Sequence, residues 1–319
     1  MTPSEVLRAR QSLTRVIRAW FAAADYLELQ APTLVRGTCP DAYICSFQVG
    51  DRYLTTSTEY HIKRLLAAGE PRVYTLQANF RAGDLGEVHS PEFWMLEWGR
   101  AGATLAEIEA DLEAIFREAA RVLHGRPAIP LGDTWVSVAE PFRRVTVADA
   151  LAAELGVAPG DYGAAALEDA ANRAGIADAP RFTGDVSALF TLLLDALQQR
   201  LGHDGPVWLT DWPAFLGSSV ATTSAGTVTR SELFVRGLEL SDGFPFVSDE
   251  AGQRARFAAA NEQRAAQGLP RVALDERYLR ALPALPPGAG MAVGFERLLM
   301  ALTGANTIDE VLPFPWRET

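Results

Sequence analysis

Near the start of the chain, apolar residues recur every three or four positions: Val6, Leu7, Leu13, Val16, Ile17, Trp20 and Phe21. That spacing predicts an amphipathic helix. Thr2, Pro3 and Glu5 punctuate its start as cap, first-turn proline and capping-box partner. Residues 26–32 alternate and stop at a proline, which predicts a strand. Residues 44–57 read as a hairpin turning at Gly50 and Asp51, and residues 59–68 as a helix. Two strand-like runs, 73–80 and 93–98, flank a polar, Gly-containing loop. A second boxed helix follows, with Thr104 and Glu107 as the box and Ile108, Leu112, Ile115 and Phe116 on its apolar side. Residues 125–205 are Ala-rich, with several short helical patterns broken by Gly and Pro. Strand patterns return at 207–210 and at 232–240, the latter a hairpin turning at Arg236 and Gly237. A helix over 250–267, a strand over 290–293 and a helix over 295–302 complete the pattern. Hairpin-joined strands with helices packed outside predict an α+β fold with a mostly antiparallel sheet flanked by helices.

Composition narrows the function classes. The 319 residues are 48% hydrophobic, which is enough for a large core, and the formal net charge is −11. An acidic surface repels phosphate backbones and argues against a broad nucleic-acid footprint. The two cysteines, Cys39 and Cys45, are separated by five residues, which fits neither a C-x-x-C redox pair nor half of an obvious zinc site. They read as two reduced thiols. The first residues lack an apolar signal core, and no run of 18 apolar residues occurs. The expectation is a cytoplasmic protein with no membrane partner.

Three short stretches carry chemistry. In residues 79–98, Arg81 stands at the entrance of a loop between two strands, and His89 and Phe93 sit four apart on its way out. Such a pair of strands can wrap a nucleotide, with Arg81 on an α-phosphate, His89 at the outer phosphates and Phe93 against adenine. Taken alone, an arginine near a turn is usually solvated and a strand phenylalanine is usually core. In the second stretch, a two-residue turn at Arg236 and Gly237 pairs residue 239 with residue 234. Glu232 then lies diagonal to Glu239 on one face of the sheet. Two such carboxylates repel unless a cation sits between them, and magnesium on ATP phosphates supplies one. Two separately solvated glutamates are the plain alternative. Third, residues 290–300 run from a strand into a helix with Gly294 at the junction. Gly294 lets a ligand approach the backbone, and Arg297 in the first turn can pair with a phosphate. A glycine chosen only for packing is the alternative there.

Together, the three stretches resemble the class II aminoacyl-tRNA synthetases. FRAGDLGEVHSPEF resembles motif 2, GMAVGFERLLM motif 3, and YLELQAPTL, with Pro32, a degraded motif 1 in which Asp25 precedes the strand where the family prefers glycine. Residues 56–66 (TSTEYHIKRLL), 89–98 (HSPEFWMLEW) and 236–244 (RGLELSDGF) resemble the lysyl branch, and most closely its short paralogs, the elongation factor P lysine ligases. The likeness runs from about residue 10 to 315. It implies a single catalytic domain over 1–319, with 125–205 as a helical insertion, and ATP and Mg2+ as cofactors. Arg81 would hold the α-phosphate and the amino acid carboxylate, and Arg297 and His89 would contact the outer phosphates. Phe93 would stack on adenine, Leu240 and Gly294 would line the nucleotide site, and Glu232 and Glu239 would hold the metal. Ser57 and Glu59 would receive the α-amino group, with Glu97, Gly99 and Phe246 around the substrate side chain. The class commonly dimerises through motif 1, so a homodimer is expected. A lysyl-tRNA synthetase would place an anticodon-reading OB domain before motif 1, whereas here motif 1 comes within the first few dozen residues. With the acidic charge, this argues against the usual tRNA recognition.

The chain also departs from the family. Gly99 stands where the family has a tyrosine, and Phe246 where it has a glutamate; both are partners of the substrate ammonium. Gly83, followed by Asp84, replaces a motif 2 glutamate, and Ser90 replaces the asparagine after His89. A buried ammonium needs charge and hydrogen-bond compensation, and only Glu97 is retained to supply it. Three functions stay open: a ligase acting on elongation factor P, an enzyme activating a different amino acid for another carrier protein or small molecule, and a non-catalytic regulator that binds ATP or an amino acid. Retained Arg81, Glu232, Glu239 and Arg297 oppose the third.

Overall fold

The computed structural model describes residues 1–41, 44–214 and 227–319. Helix α1, Pro3–Ala23, carries the expected reciprocal capping box between Thr2 and Glu5 and buries Leu13, Val16, Ile17 and Phe21. Leu7 does not join that face and is 55% exposed. Asp25, at φ 60°, turns the chain from α1 into β1, which accounts for a glycine preference there. The strand expected over 26–32 shrinks to β1, Leu27–Glu28. The expected hairpin over 44–57 is likewise reduced. Strand β2, Leu34–Val35, joins β3, Gln48–Val49, and β4, Arg52–Leu54, in a small sheet of order β2-β4-β3.

The larger elements follow the sequence pattern closely. They are α2 (Glu59–Ala67), β5 (Arg72–Phe80), β6 (Glu92–Ala101) and α3 (Leu105–His124). In α3, Ile108, Leu112, Ile115 and Phe116 are fully buried, as their spacing predicts. Residues 125–205 differ from a purely helical insertion. They open with a hairpin of β7 (Ala128–Leu131) and β8 (Thr134–Ser137), then β9 (Arg143–Thr146), before α4 (Val147–Leu155), α5 (Ala164–Arg173) and α6 (Val186–Gln198). The chain continues through β10 (Val207–Pro213), β11 (Thr227–Val235), β12 (Leu238–Pro245), α7 (Glu250–Ala266), α8 (Glu276–Ala281), β13 (Gly288–Gly294) and α9 (Phe295–Thr303).

The main sheet has the order β1-β5-β6-β13-β12-β11-β10-β9. The inner strands pair antiparallel, and both outer strands, β1 and β9, pair parallel to their neighbours. The fold is therefore α+β with a mixed sheet whose centre is antiparallel. Period-two alternation divides each strand between two environments. Leu96 and Trp98 of β6, with Met291 and Val293 of β13, enter a core shared with α1, α3 and α9. The alternate residues face the opposite side. A second core, formed by α4, α5 and α6, covers β10 and β11 on that side, and a third lies between α2, α7 and α8. The ground between them is left open as a cleft.

Phe21 fastens α1 to the sheet. Its ring stacks on Tyr74 at 4.2 Å and 8°, and meets Trp98 and Tyr26 edge-on at 5.6 and 5.0 Å. Phe21→Ala is expected to lower folding stability by about 3–5 kcal/mol, the range for losing a buried ring. The urea unfolding midpoint checks this, and an unchanged midpoint contradicts it.

Candidate active site

The cleft over the middle of the sheet has a volume of about 680 Å3. Its floor is the outward face of β6 and β13, where Glu97 pairs with Ala292 and Gly99 with Gly290. At one end, the β5–β6 loop is pinned back on itself: the Arg81 N–H donates to the Pro91 carbonyl at 2.9 Å, and the Gly86 N–H donates to His89 at 3.2 Å. The Arg81 guanidinium lies 5.1 Å from the centre of the Phe93 ring. Its Nε is buried with no hydrogen-bond partner among the described residues. Facing it, Arg297 in the first turn of α9 donates to the carbonyls of Glu239 at 3.0 Å and Val88 at 3.3 Å, and touches the His89 ring. Burial, and then the Arg297 charge, hold the His89 imidazole below its ordinary value, so the neutral ring accepts from Arg297. A Cβ at Gly294 would meet nothing nearer than the Arg297 side chain at 3.6 Å, so the backbone there is open to the cleft.

The acidic pair lies beside this end. The turn at Arg236 and Gly237 has both residues at positive φ, 55° and 73°, and pairs Phe234 with Glu239 as expected. Glu239 and Leu240 line the cleft, but Glu232 does not. Glu232 is buried at 2% exposure and held at 2.7 Å by Arg230, which also grips Asp242 through two bonds of 2.8 and 3.0 Å. Of the two glutamates expected on one face, Glu239 is the one that lines the cleft. Burial pushes the Glu232 carboxyl well up against the pull of Arg230, and the nearby charges of Glu239 and Asp242 push it further. Glu232 Oε2 also lacks a hydrogen-bond partner among the described residues. Crowded carboxylates with an unpartnered oxygen suit a hard divalent cation, which takes one or two protein carboxylates and completes its shell with phosphate and water oxygens. The chemistry of this donor set is compatible with magnesium, for which Glu239 would be the cleft-facing carboxylate and Glu232 the one behind it.

At the far end, Glu97 is buried and accepts from the Ser57 hydroxyl at 2.5 Å and from the Thr58 N–H and hydroxyl at 2.6 and 2.5 Å. Burial pushes its carboxyl up and these donors pull it back. Glu59 lines the cleft as expected but is ion-paired with Lys63, one helical turn on. Gly99 does not line the cleft. A Cβ there would come within 2.9 Å of Phe246 Cζ, 2.9 Å of Leu66 Cδ1 and 3.2 Å of Ile62 Cγ2. Phe246 thus occupies the space over Gly99, and the two do not act as separate contacts to a substrate.

A profile of the family described as tRNA synthetases class II (D, K and N) matches residues 2–318. The chain belongs to the class II aminoacyl-tRNA synthetase family. Within the class II family, it is 31% identical over 327 residues to an elongation factor P–(R)-β-lysine ligase of Hamiltonella defensa, covering 98% of this chain and 95% of the relative. It is 33% identical over 328 residues to the enzyme of that name from Vibrio cholerae (97% and 95%), and 32% over 322 residues to that of Erwinia tasmaniensis (97% and 94%). The chain is thus a ligase-class enzyme of the class II type. Among the described residues, no helix is long and apolar enough to cross a membrane.

Several site residues were missed by the sequence reading. Lys63 follows Glu59 at the i,i+4 spacing of helical ion pairs, and Arg230 precedes Glu232 at the strand period; both spacings were available signals. Asp242 comes opposite Glu232 because the register shifts by one residue between the Leu233 and Phe234 pairs, as at a β-bulge. Ser187 and Thr191 of α6 also line the cleft, and nothing in their local pattern announces it. The geometry at Gly99 makes a stability prediction. Gly99→Ala is expected to cost about 1–3 kcal/mol by overpacking, and less in a Phe246→Ala background. Chemical denaturation of the single and double variants measures the coupling; equal costs in both backgrounds would remove Phe246 as the obstacle.

Proposed function

We propose that this enzyme activates an amino acid with ATP as an aminoacyl adenylate and passes the aminoacyl group to a lysine of a carrier protein of the elongation factor P kind. The observation that carries the reading is Arg81. Among the described cleft-lining residues, Lys63 pairs with Glu59, Arg230 with Asp242 and Glu232, and Arg297 with the Glu239 backbone and His89. The Arg81 side chain has no hydrogen bond or ion pair among the described residues, so its charge is available to an anionic ligand. The relatives named above support the acceptor.

The chemistry needs no protein nucleophile. A carboxylate oxygen of the amino acid attacks the α-phosphorus in line, and pyrophosphate leaves. Arg81 offsets the charge that builds on the α-phosphate oxygens, and Arg297, with neutral His89 accepting from it, offsets charge on the outer phosphates. Phe93 offers adenine an aromatic surface beside Arg81, and Leu240 and Gly294 let the nucleotide lie against backbone. Glu239 and Glu232 would hold magnesium, which would supply positive charge to offset that of the phosphates. Ser57 and Glu59 stand where the α-amino group would be received. In the second step, the acceptor amine attacks the acyl carbon and AMP departs.

A second reading, activation of an amino acid other than lysine, is favoured by Phe246 closing the far end of the cleft. The net charge of −11 opposes docking of a tRNA as the acceptor. We assign the enzyme to the cytoplasm, where its ATP and a translation-factor acceptor would be found. The expected homodimer also belongs to this reading. Leu7 (55% exposed), Leu27 (57%) and Leu34 (43%) provide apolar surface on α1, β1 and β2.

Arg81→Ala is expected to reduce amino-acid-dependent ATP–pyrophosphate exchange by at least about 100-fold, the scale of losing a charge-stabilising donor, with the fold intact by circular dichroism. Exchange within about tenfold of wild type, roughly 1.4 kcal/mol of barrier, would make the Arg81 assignment wrong. Light scattering at micromolar concentration should give a dimer mass, and Leu7→Glu with Leu27→Glu should give a monomer. A monomeric wild type removes the dimer.

A further inference from the structure

The far end of the cleft is built around one ring. Phe246 follows the end of β12, and its N–H donates to the Gly288 carbonyl at 2.8 Å, which continues the pairing with β13 by one residue. Its ring lies against backbone that only glycine leaves bare. A Cβ at Gly288 would fall 2.9 Å from the ring, one at Gly290 3.0 Å, and one at Gly99 2.9 Å. At Gly288 and Gly290, the β6 carbonyls would be closer still, at 2.3 and 2.7 Å. The backbone approach of β6 to β13 thus requires the glycines, and the ring fills the trough that they leave.

The charges around this ring are already matched. The Lys63 ammonium lies 5.2 Å from the centre of the Phe244 ring and 5.6 Å from that of Phe246, and its partner is Glu59. Asp242, two residues before Phe244, is gripped by two bonds from Arg230. Glu97, two residues before Gly99, spends its two oxygens on Ser57 and Thr58. A substrate ammonium brought here would lose its water and meet the Lys63 charge, and of these carboxylates only Glu97, already accepting three hydrogen bonds, is not held by a cation. An uncharged side chain needs none of that, since the ring and glycine backbone offer it dispersion contact alone.

We propose that Phe246, seated on Gly99, Gly288 and Gly290, is the end wall of the amino acid side-chain pocket and restricts this enzyme to amino acids with uncharged side chains. This rests on the activation reading above. It makes Phe246 the residue that sets specificity, by filling space and by withholding a counter-ion.

The test is ATP–pyrophosphate exchange with lysine, β-lysine, norleucine and a panel of shorter uncharged amino acids. Norleucine has lysine's four-carbon chain without the ammonium. In the wild type, kcat/KM for norleucine or a shorter uncharged amino acid should exceed that for lysine and β-lysine by at least about tenfold. Phe246→Glu should reduce that ratio by at least about tenfold, and Phe246→Ala should move the preference toward bulkier uncharged side chains. Inhibition of the wild type by norleucyl- and lysyl-sulfamoyl adenosine gives a second measurement that needs no variant, with the norleucyl compound the tighter. Lysine or β-lysine activated as well as the uncharged amino acids, with the lysyl analogue equally tight, overturns the specificity proposal and leaves the activation reading standing. No exchange with any amino acid overturns both.

Discussion

The pairing of β6 with β13 fixes the direction of the groups on the floor of the cleft. Its strict two-residue alternation sends Leu96, Trp98, Met291 and Val293 into the core under α1, α3 and α9. The same alternation sends Met95, Glu97, Gly290, Ala292 and Gly294 to the other side, where they meet the cavity. A slip of one residue would exchange the two sets and bury the carboxylate in hydrocarbon. Buried aromatic and aliphatic side chains on the core side make that slip costly, so the core stabilises the register and the register aims the chemistry. The helix after β13 is tied to the same frame. Glu296, buried at 2% exposure, accepts from the Trp94 N–H at 2.9 Å and pairs with Arg10 of α1 at 2.9 Å. That bond sets the roll of α9, and therefore where Arg297 points.

Among the described residues, much of the charge in the cleft is held in local pairs. Buried ion pairs contribute little net stability, because desolvation offsets most of the attraction. Their effect here is orientational. Arg230 holds two acidic side chains on adjacent strands, Lys63 immobilises Glu59, and Ser57 with Thr58 fixes Glu97. A ligand would meet dipoles already in position, so little reorganisation is left for the reaction itself. Arg81, with a ring beneath it, has no acidic partner among the described residues.

Much of this was legible in the sequence because much of it is local. Capping boxes at Thr2 and Thr104, helical periodicity in α1 and α3, and the two-residue turn at Arg236 all depend on residues a few positions apart. The candidate residues of motifs 2 and 3 fall in one cleft because each lies on such an element. Legibility failed where distant segments decide the outcome. The strand expected near residues 26–32 shrinks to the edge strand β1, and the hairpin near 44–57 to short strands of a separate three-stranded sheet, so distant pairing sets their lengths. Residues 125–205 read as helical because alanine dominates the composition, yet their first third pairs as strands β7, β8 and β9. The seating of Phe246 on glycines 99, 288 and 290 joins three separate stretches of chain, so no window of sequence contains it. Asp25 and Leu7 are smaller cases, one set by backbone conformation and the other by which helical face remains uncovered.

The place of β13 in the sheet has a consequence for the order of assembly. It is the last strand of the described chain, yet it lies between β6 and β12, with four strands on one side of it and three on the other. During synthesis, β5 with β6 and β11 with β12 can each form hairpins early, but their facing edges stay unpaired until about residue 294 has left the ribosome. Each half then presents an open row of N–H and C=O groups beside exposed core residues, the condition under which nascent chains self-associate. Arrival of β13 closes both edges together, buries Met291 and Val293, and delivers Arg297 to His89 in the same event. Closure of the sheet and completion of the phosphate-facing end of the cleft thus depend on the same late segment, so a ribosome-bound chain lacking it would have both an open sheet and a cleft without Arg297.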